Sequence, residues 1–190
     1  IYVSMHLVDV QTKRYHIVKM TDQILECLGK DFTKMGEYEI RDDFCGHINR
    51  IAEKMCIESQ LQESLEFVDI STLEERLLGE NSITHEFIDK ISGWCRSRFI
   101  PVDYDENGRL LHVLFCIECI EEEKKRENRL IYLAQTDLMT GLCNRGSGEK
   151  RITELLKQKT GGLLCLIDCD KFKSINDTYG HSVGDKVIIA

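Results

Sequence analysis

The sequence predicts an α+β fold in two parts, and three observations carry that reading. Two β-rich runs at the start and three near the middle enclose stretches of helical periodicity. A segment free of Gly and Pro, residues 119–136, then leads away from them. Beyond it, an apolar run emerges directly into two aspartates. An antiparallel sheet with helices on one face suits the first part. A linker helix and the opening of an α/β unit suit the rest.

Residues 2–10 (YVSMHLVDV) and 14–20 (RYHIVKM) flank Gln11-Thr12-Lys13 and read as an antiparallel pair. Thr21-Asp22 opens a helical pattern carried by Ile24, Leu25 and Leu28 and ended by Gly29. Asp42-Asp43 precedes a second helix, with Phe44, Ile48, Ile51, Ala52 and Met55 at helical spacing. Ser71 and Glu74 form a capping-box signature before Leu73, Leu77 and Leu78, with Gly79 as the stop. Three strands follow, over 83–91, 94–102 and 110–120. In the middle one Trp94, Arg96, Arg98 and Ile100 share one parity, Cys95 and Phe99 the other, and Trp94 is expected in the core. Asn107-Gly108 marks a hairpin between the last two strands. Pro101, the single proline, falls near a strand end, where an edge tolerates it.

Charge divides the chain at the same place. Residues 1–120 hold 13 basic and 22 acidic side chains, a net of −9, whereas residues 121–190 net +1. So acidic a surface opposes nucleic-acid binding, which rests on cations meeting phosphates. No apolar run approaches the ~18–20 residues of a membrane helix. No signal peptide is visible at Ile1, and the missing start Met suggests an excised piece of a longer chain. Nine cysteines at irregular spacing include one C-x-x-C, Cys116 and Cys119, without a second pair to complete a zinc site. In a strand those two thiols face opposite sides. The set reads as reduced and mostly buried, which favours a cytoplasmic location.

The run from a strand ending in HEF through GWCRSRFIPVDYDENGRLLHVLFCIECIEEE resembles the closing part of a PAS domain, over about residues 1–120. The resemblance implies a sensor that binds a small ligand between sheet and helices, or only dimerises. No flavin-photosensor cysteine motif is present. His47 reads as a surface or capped histidine rather than a haem ligand, and His85 and His112 as packed or exposed. A small organic ligand, or none, is favoured over haem or flavin. The 119–136 segment begins acidic and turns basic, complementing a helix dipole, with Glu121–Lys125 and Glu122–Arg126 at i,i+4. A short parallel coiled coil and an ordinary solvated linker both fit it.

Residues 137–190 carry the chemistry. DLMTGLCNR spans Asp137 to Arg145, a helical stretch covers 148–159, and LLCLIDCD reads as a buried strand ending in Asp168 and Asp170. Two residues apart, those carboxylates share a face. Hard oxygens there suit Mg²⁺ or Mn²⁺ bridging to nucleotide phosphates. Lys171-Phe172-Lys173 follows at once, offering backbone N–H groups and an ammonium. Asn176 and Asp185 can donate to and accept from a base edge.

This string resembles the opening half of a GGDEF domain, the catalytic domain of diguanylate cyclases. DCDKFKSINDTYGHSVGD fills every fixed place of D-x-D-x-F-K-x-x-N-D-x-x-G-H-x-x-G-D, and DLMTGLCNR follows D-x-L-T-x-L-x-N-R with Met139 in the leucine place. The resemblance implies that Asp168 binds metal, with the Cys169 carbonyl as a further ligand. It implies that the Lys171 and Phe172 amides and the Lys173 side chain contact phosphate, and that Asn176 and Asp185 read guanine. Asp168 and Lys173 are the catalytic candidates. The Gly-Gly-Asp/Glu-Glu-Phe hairpin and second metal carboxylate would lie after Ala190, so the 190 residues alone are expected to be inactive. The implied whole is a PAS-regulated homodimer that makes cyclic di-GMP from two GTP with Mg²⁺ or Mn²⁺. The alternative is a PAS-like sensing or dimerisation module joined to a non-catalytic, GTP-binding regulatory domain.

Overall fold

The computed structural model describes residues 2–22, 40–158 and 161–189. The helix expected after Thr21-Asp22 falls almost wholly outside them. The chain separates into two compact units, Ile1–Lys124 and Lys125–Ala190.

The first unit is an antiparallel sheet with helices on one face. Its strands are β1 (Tyr2–Asp9), β2 (Tyr15–Met20), β3 (Ile83–Asp89), β4 (Gly93–Tyr104) and β5 (Leu110–Cys119). Their spatial order is β2-β1-β5-β4-β3. The buried positions follow the pleat: Ser4, His6 and Val8 on β1, then Cys95, Ser97 and Phe99 on β4. Phe115 and Ile117 of β5 pair with Phe99 and Ser97 and complete this face. Trp94 is only half-buried, because the parity that turns Cys95 inward turns Trp94 to the other face. There the Lys124 ammonium lies 5.4 Å from its ring centroid.

Among the described residues, α1 (Phe44–Met55) and α2 (Glu58–Val68) cover the inner face. Asp43 caps α1, its side chain accepting from the Gly46 N–H at 2.9 Å. The α1 stripe Phe44, Ile48, Ile51 and Met55 is buried as its spacing requires. A 3₁₀ turn, Ile70–Thr72, leads into the one-turn helix α3 (Leu73–Arg76). The turn is capped by Asp69, whose carboxylate accepts from the Ser71 amide, and not by a Ser71–Glu74 box. Glu74 instead reaches β5, its Oε1 accepting from the Leu110 N–H at 3.4 Å. The Asp105–Gly108 hairpin is as the sequence predicts, with Gly108 at φ +77°.

Pro101 sits in an interior strand, yet without conflict. β3 reaches only as far as the Ile83–Phe99 pair, so β4 overhangs it. The Ile120 N–H bonds the Trp94 carbonyl, which fixes the alternation of β4 with β5. That alternation turns the Pro101 nitrogen away from β5, toward the space beyond the end of β3.

Helix α4 (Glu121–Gln135) begins on the outer face of the sheet. The Trp94 N–H donates to Glu121 Oε2 at 2.9 Å. Gly93, at φ +74°, lies so close to the Glu121 carboxylate that any Cβ there would collide with it. Arg96 clamps the same place, 2.8 Å from Glu86 of β3, 3.4 Å from Glu118 of β5 and 2.8 Å from Glu123. Glu123 first, then Glu86, hold the guanidinium well above its ordinary pKa.

The second unit contains the rest of α4 with α5 (Arg145–Lys157), α6 (Phe172–Tyr179) and α7 (His181–Ile189). The buried strand expected over Leu163–Ile167 does not form: residues 161–169 have no regular structure, and Leu166 is 100% exposed. A strand is closed by hydrogen bonds to neighbours, and no other strand lies in this unit among the described residues. No helix among the described residues is long and apolar enough to cross a membrane.

Candidate functional site

The segment before α5 is locally over-determined. Asp137 Oδ1 accepts from the Thr140 N–H at 3.0 Å and its hydroxyl at 2.8 Å. Thr140 thereby draws the exposed Asp137 carboxyl below its usual pKa. Gly141 takes φ +72° and donates to the Asp137 carbonyl. Asn144 then works at both ends of the turn. Its carbonyl oxygen caps α5 by accepting from the Ser147 N–H at 3.0 Å, while its amide donates to the Ala134 carbonyl near the end of α4 at 2.8 Å. The fixed places of DLMTGLCNR are therefore a joint between two helices. The sequence assigned them no role beyond recognition.

The nucleotide-site candidates lie after residue 167. Asp168 and Cys169 are exposed on the extended segment. Lys171 takes φ +57° and sets the start of α6. The Phe172 N–H donates to the Cys169 carbonyl at 3.3 Å, so the expected metal carbonyl and phosphate amide close on each other as a turn. Lys173 and Asp185 are exposed. No hydrogen bond or ion pair joins the side chains of Asp168, Lys171, Lys173 and Asp185 among the described residues. Two other members do meet. Gly184 of α7 is buried, and a Cβ there would run into Asn176 Oδ1 and lie 3.3 Å from Phe172. The missing side chain lets α7 settle on α6 and places Asn176 one residue from Asp185. The Asn176 side-chain oxygen, Oδ1, is buried there without a hydrogen-bond partner, a costly arrangement for an acceptor.

Hard oxygens at Asp168 suit Mg²⁺ or Mn²⁺, which commonly take one or two carboxylates together with phosphate oxygens. No cluster of three His, Cys, Asp or Glu side chains fit for a metal occurs among the described residues. The donor chemistry at Asp168 thus fits a divalent ion whose remaining ligands come from nucleotide and water.

Residues 134–190 match the family described as Diguanylate cyclase, GGDEF domain. This stretch is similar to a GGDEF domain. Diguanylate cyclase DgcM of Escherichia coli is 39% identical over 85 residues, 41% of this chain and 20% of that protein. Cyclic di-GMP phosphodiesterase PdeR of the same species is 37% identical over 71 residues, 36% of this chain and 11% of that protein. The chain thus spans a fifth or less of these relatives. A sensory box histidine kinase/response regulator from Burkholderia thailandensis aligns over 67% of this chain and 83% of that one, at 13% identity. Its TM-score of 0.37 is too low to carry a conclusion. The matched segment holds every nucleotide-site candidate. Its joint at Asp137–Asn144 and its Asn176–Gly184 contact were hidden in the sequence, although both sit on fixed places of the motif.

The first unit holds a cluster that sequence reasoning missed. His47 is 1% exposed, not on the surface, and His6 is fully buried. Their ring centroids are 5.8 Å apart, and Tyr15 stacks on His47 at 5.1 Å. Neither ring nitrogen of His6 has a hydrogen-bond partner. Burial, with a charge on His47 opposing a second one, pushes the His6 pKa down to about 3. Burial, then Arg41 and Arg50, pushes that of His47 down to about 4. His85 stacks on Phe67 and meets the Ser64 hydroxyl at 3.1 Å, and His112 pairs with Asp103 at 2.8 Å. An apolar cavity of about 30 Å³ lies between α1, α2 and the sheet, bordered by Met55, Ser64 and Phe115. It has room for a water and none for haem or flavin.

Proposed function

We propose that the chain is the sensor and output-opening portion of a diguanylate cyclase that condenses two GTP into cyclic di-GMP with release of two pyrophosphates. The observation that carries this reading is the unbroken string DCDKFKSINDTYGHSVGD within the GGDEF segment. Asp168 holds the divalent ion, Mg²⁺ or Mn²⁺, which neutralises charge on the phosphates. The amides of Lys171 and Phe172 and the Lys173 ammonium take the phosphate oxygens, once the Cys169–Phe172 turn opens. Asn176 and Asp185 take the guanine edge. The PAS-like unit regulates this through α4 in a cytoplasmic homodimer, and the 190 residues alone are inactive.

A second reading is favoured by the match to PdeR, which places a related segment in a cyclic di-GMP phosphodiesterase. There the GGDEF segment is a GTP-binding regulator without turnover of its own.

The full-length protein separates the two. Pyrophosphate release and cyclic dinucleotide are measured while GTP and Mg²⁺ vary independently. On the cyclase reading, Asp168→Asn loses most turnover at saturating GTP. Asn176→Ala and Asp185→Ala raise the GTP requirement and erode preference over ATP. Wild-type turnover in Asp168→Asn refutes the metal assignment. GTP binding that depends on Asn176 and Asp185 without any cyclic product selects the regulator.

A further inference from the structure

Cysteine spacing draws the eye to Cys116 and Cys119, but the sheet pairs Cys119 with a different thiol. Cys95 of β4 stands directly opposite Cys119 of β5 in the register. Both belong to the inner face, the parity of Phe99 and Phe115, whereas Cys116 lies opposite Arg98 on the outer one. The Ile120 N–H donates to the Trp94 carbonyl at 2.8 Å, a bond between the residue after Cys119 and the residue before Cys95. That pattern defines a non-hydrogen-bonded antiparallel pair, in which the Cα atoms stand about 4.5 Å apart and side chains approach most closely. A disulfide accepts Cα separations of roughly 4.4–6.8 Å. Cys119 Sγ donates to the Ser92 carbonyl at 3.4 Å, which holds it beside the start of β4. All the cysteines among the described residues are free.

We infer that Cys95 and Cys119 are a redox-sensitive dithiol, oxidised by peroxide to a cross-strand disulfide that locks the joint between the sheet and α4. Access sets the order of events. Cys119 is partly exposed, whereas Cys95 is 2% exposed and burial pushes its pKa up to about 12. Cys119 meets the oxidant first. Its sulfur takes one peroxide oxygen, the O–O bond breaks, and a sulfenic acid and water or an alcohol result. The Cys95 sulfur then attacks the Cys119 sulfur. The S–S bond forms, the S–O bond breaks, and hydroxide leaves with the Cys95 proton as water. The two thiols together give up two electrons, and the peroxide takes them.

The position gives the bond a consequence. Within two residues of the pair lie Gly93 against the Glu121 carboxylate, the Trp94–Glu121 hydrogen bond and the buried Ile120. A covalent tie there fixes the end of β5 to the start of β4 at the point where α4 departs.

The test treats the reduced 190-residue chain with hydrogen peroxide at neutral pH, blocks remaining thiols, and maps peptides without reduction. The expected product is a Cys95–Cys119 cross-linked peptide, two hydrogens lighter than its reduced parts and reversed by dithiothreitol. Cys116→Ser retains it, and Cys119→Ser or Cys119→Ala abolishes it while leaving Cys95 open to alkylation after unfolding. Hydrogen exchange of the Ile120–Glu123 amides slows in the oxidised chain. Retention of the Cys95 thiol after the exposed Cys143 has been oxidised overturns the site. A disulfide joining Cys95 to any other cysteine in the folded chain overturns it equally. Unchanged exchange at Ile120–Glu123 in the cross-linked chain overturns the lock.

Discussion

His6 is the most exacting residue in the first unit. It is wrapped by Tyr15, Phe44, His47 and Phe115, with ring centroids all within 6.2 Å. Such an imidazole must stay neutral, and so must His47. Their native pKa values of about 3 and about 4 lie below the ordinary 6.5. Below pH 6.5 the unfolded chain therefore binds protons that the native chain refuses, and stability falls as pH falls. The slope approaches about 1.4 kcal/mol per pH unit for each histidine. From pH 7 to 5.5, above the range where carboxylates titrate, the urea midpoint of the first unit should drop. His6→Leu should lose part of that dependence, the rest staying with His47 and His85, which burial also holds below the ordinary value. An equal drop in both proteins would show that His6 does not couple folding to protons. This burial was partly legible: His47 falls between Phe44, Ile48 and Ile51 on one helical stripe. A histidine in a stripe is read as polar by residue type, and only the fold shows which polar residues are enclosed.

Among the elements, strands were the most legible because alternation and the Asn-Gly turn specify both face and register. Helix α2 was not foreseen. Its entry residue Ile57 offers no side-chain cap, and it is held from outside by Gln60, which accepts from the Ile88 N–H at 2.7 Å. Tertiary bonds of that kind leave no local trace. Leu163–Ile167 shows the reverse, a strong strand propensity with nothing to pair with. The joint between α4 and α5 depends most on one side chain, Asn144. Replacing it by Ala should cost about 1 kcal/mol from the lost cap, with a further loss from the bond to Ala134. Thermal melting of helicity in the second unit reads the effect. Asn144→Asp, which keeps the cap but not the amide donor, should fall between the two.

At the scale of the whole chain the two units differ in how their backbones are closed. Among the described residues, the first has a five-stranded sheet under α1 and α2, with Phe44, Phe99 and Phe115 fully buried. In the second, Gly184 is the single buried residue among those described. Amides of β4 and β5 should therefore exchange with the free energy of global unfolding, and those of 161–169 within the dead time of the measurement. Protection of Leu163–Ile167 equal to that of β5 in a monomer would show that the segment is paired.

The overhang of β4 past the end of β3 has its own meaning for how copies of this chain meet. A bare strand end invites a strand from another molecule, since its outward N–H and C=O groups form a ready ladder. At Pro101 the outward rung has no hydrogen to give, and the ring occupies the space a newcomer's carbonyl would need. The overhanging end of β4 is therefore closed to a further strand by chemistry as well as by length. Association of one copy with another is thereby steered away from that end of β4.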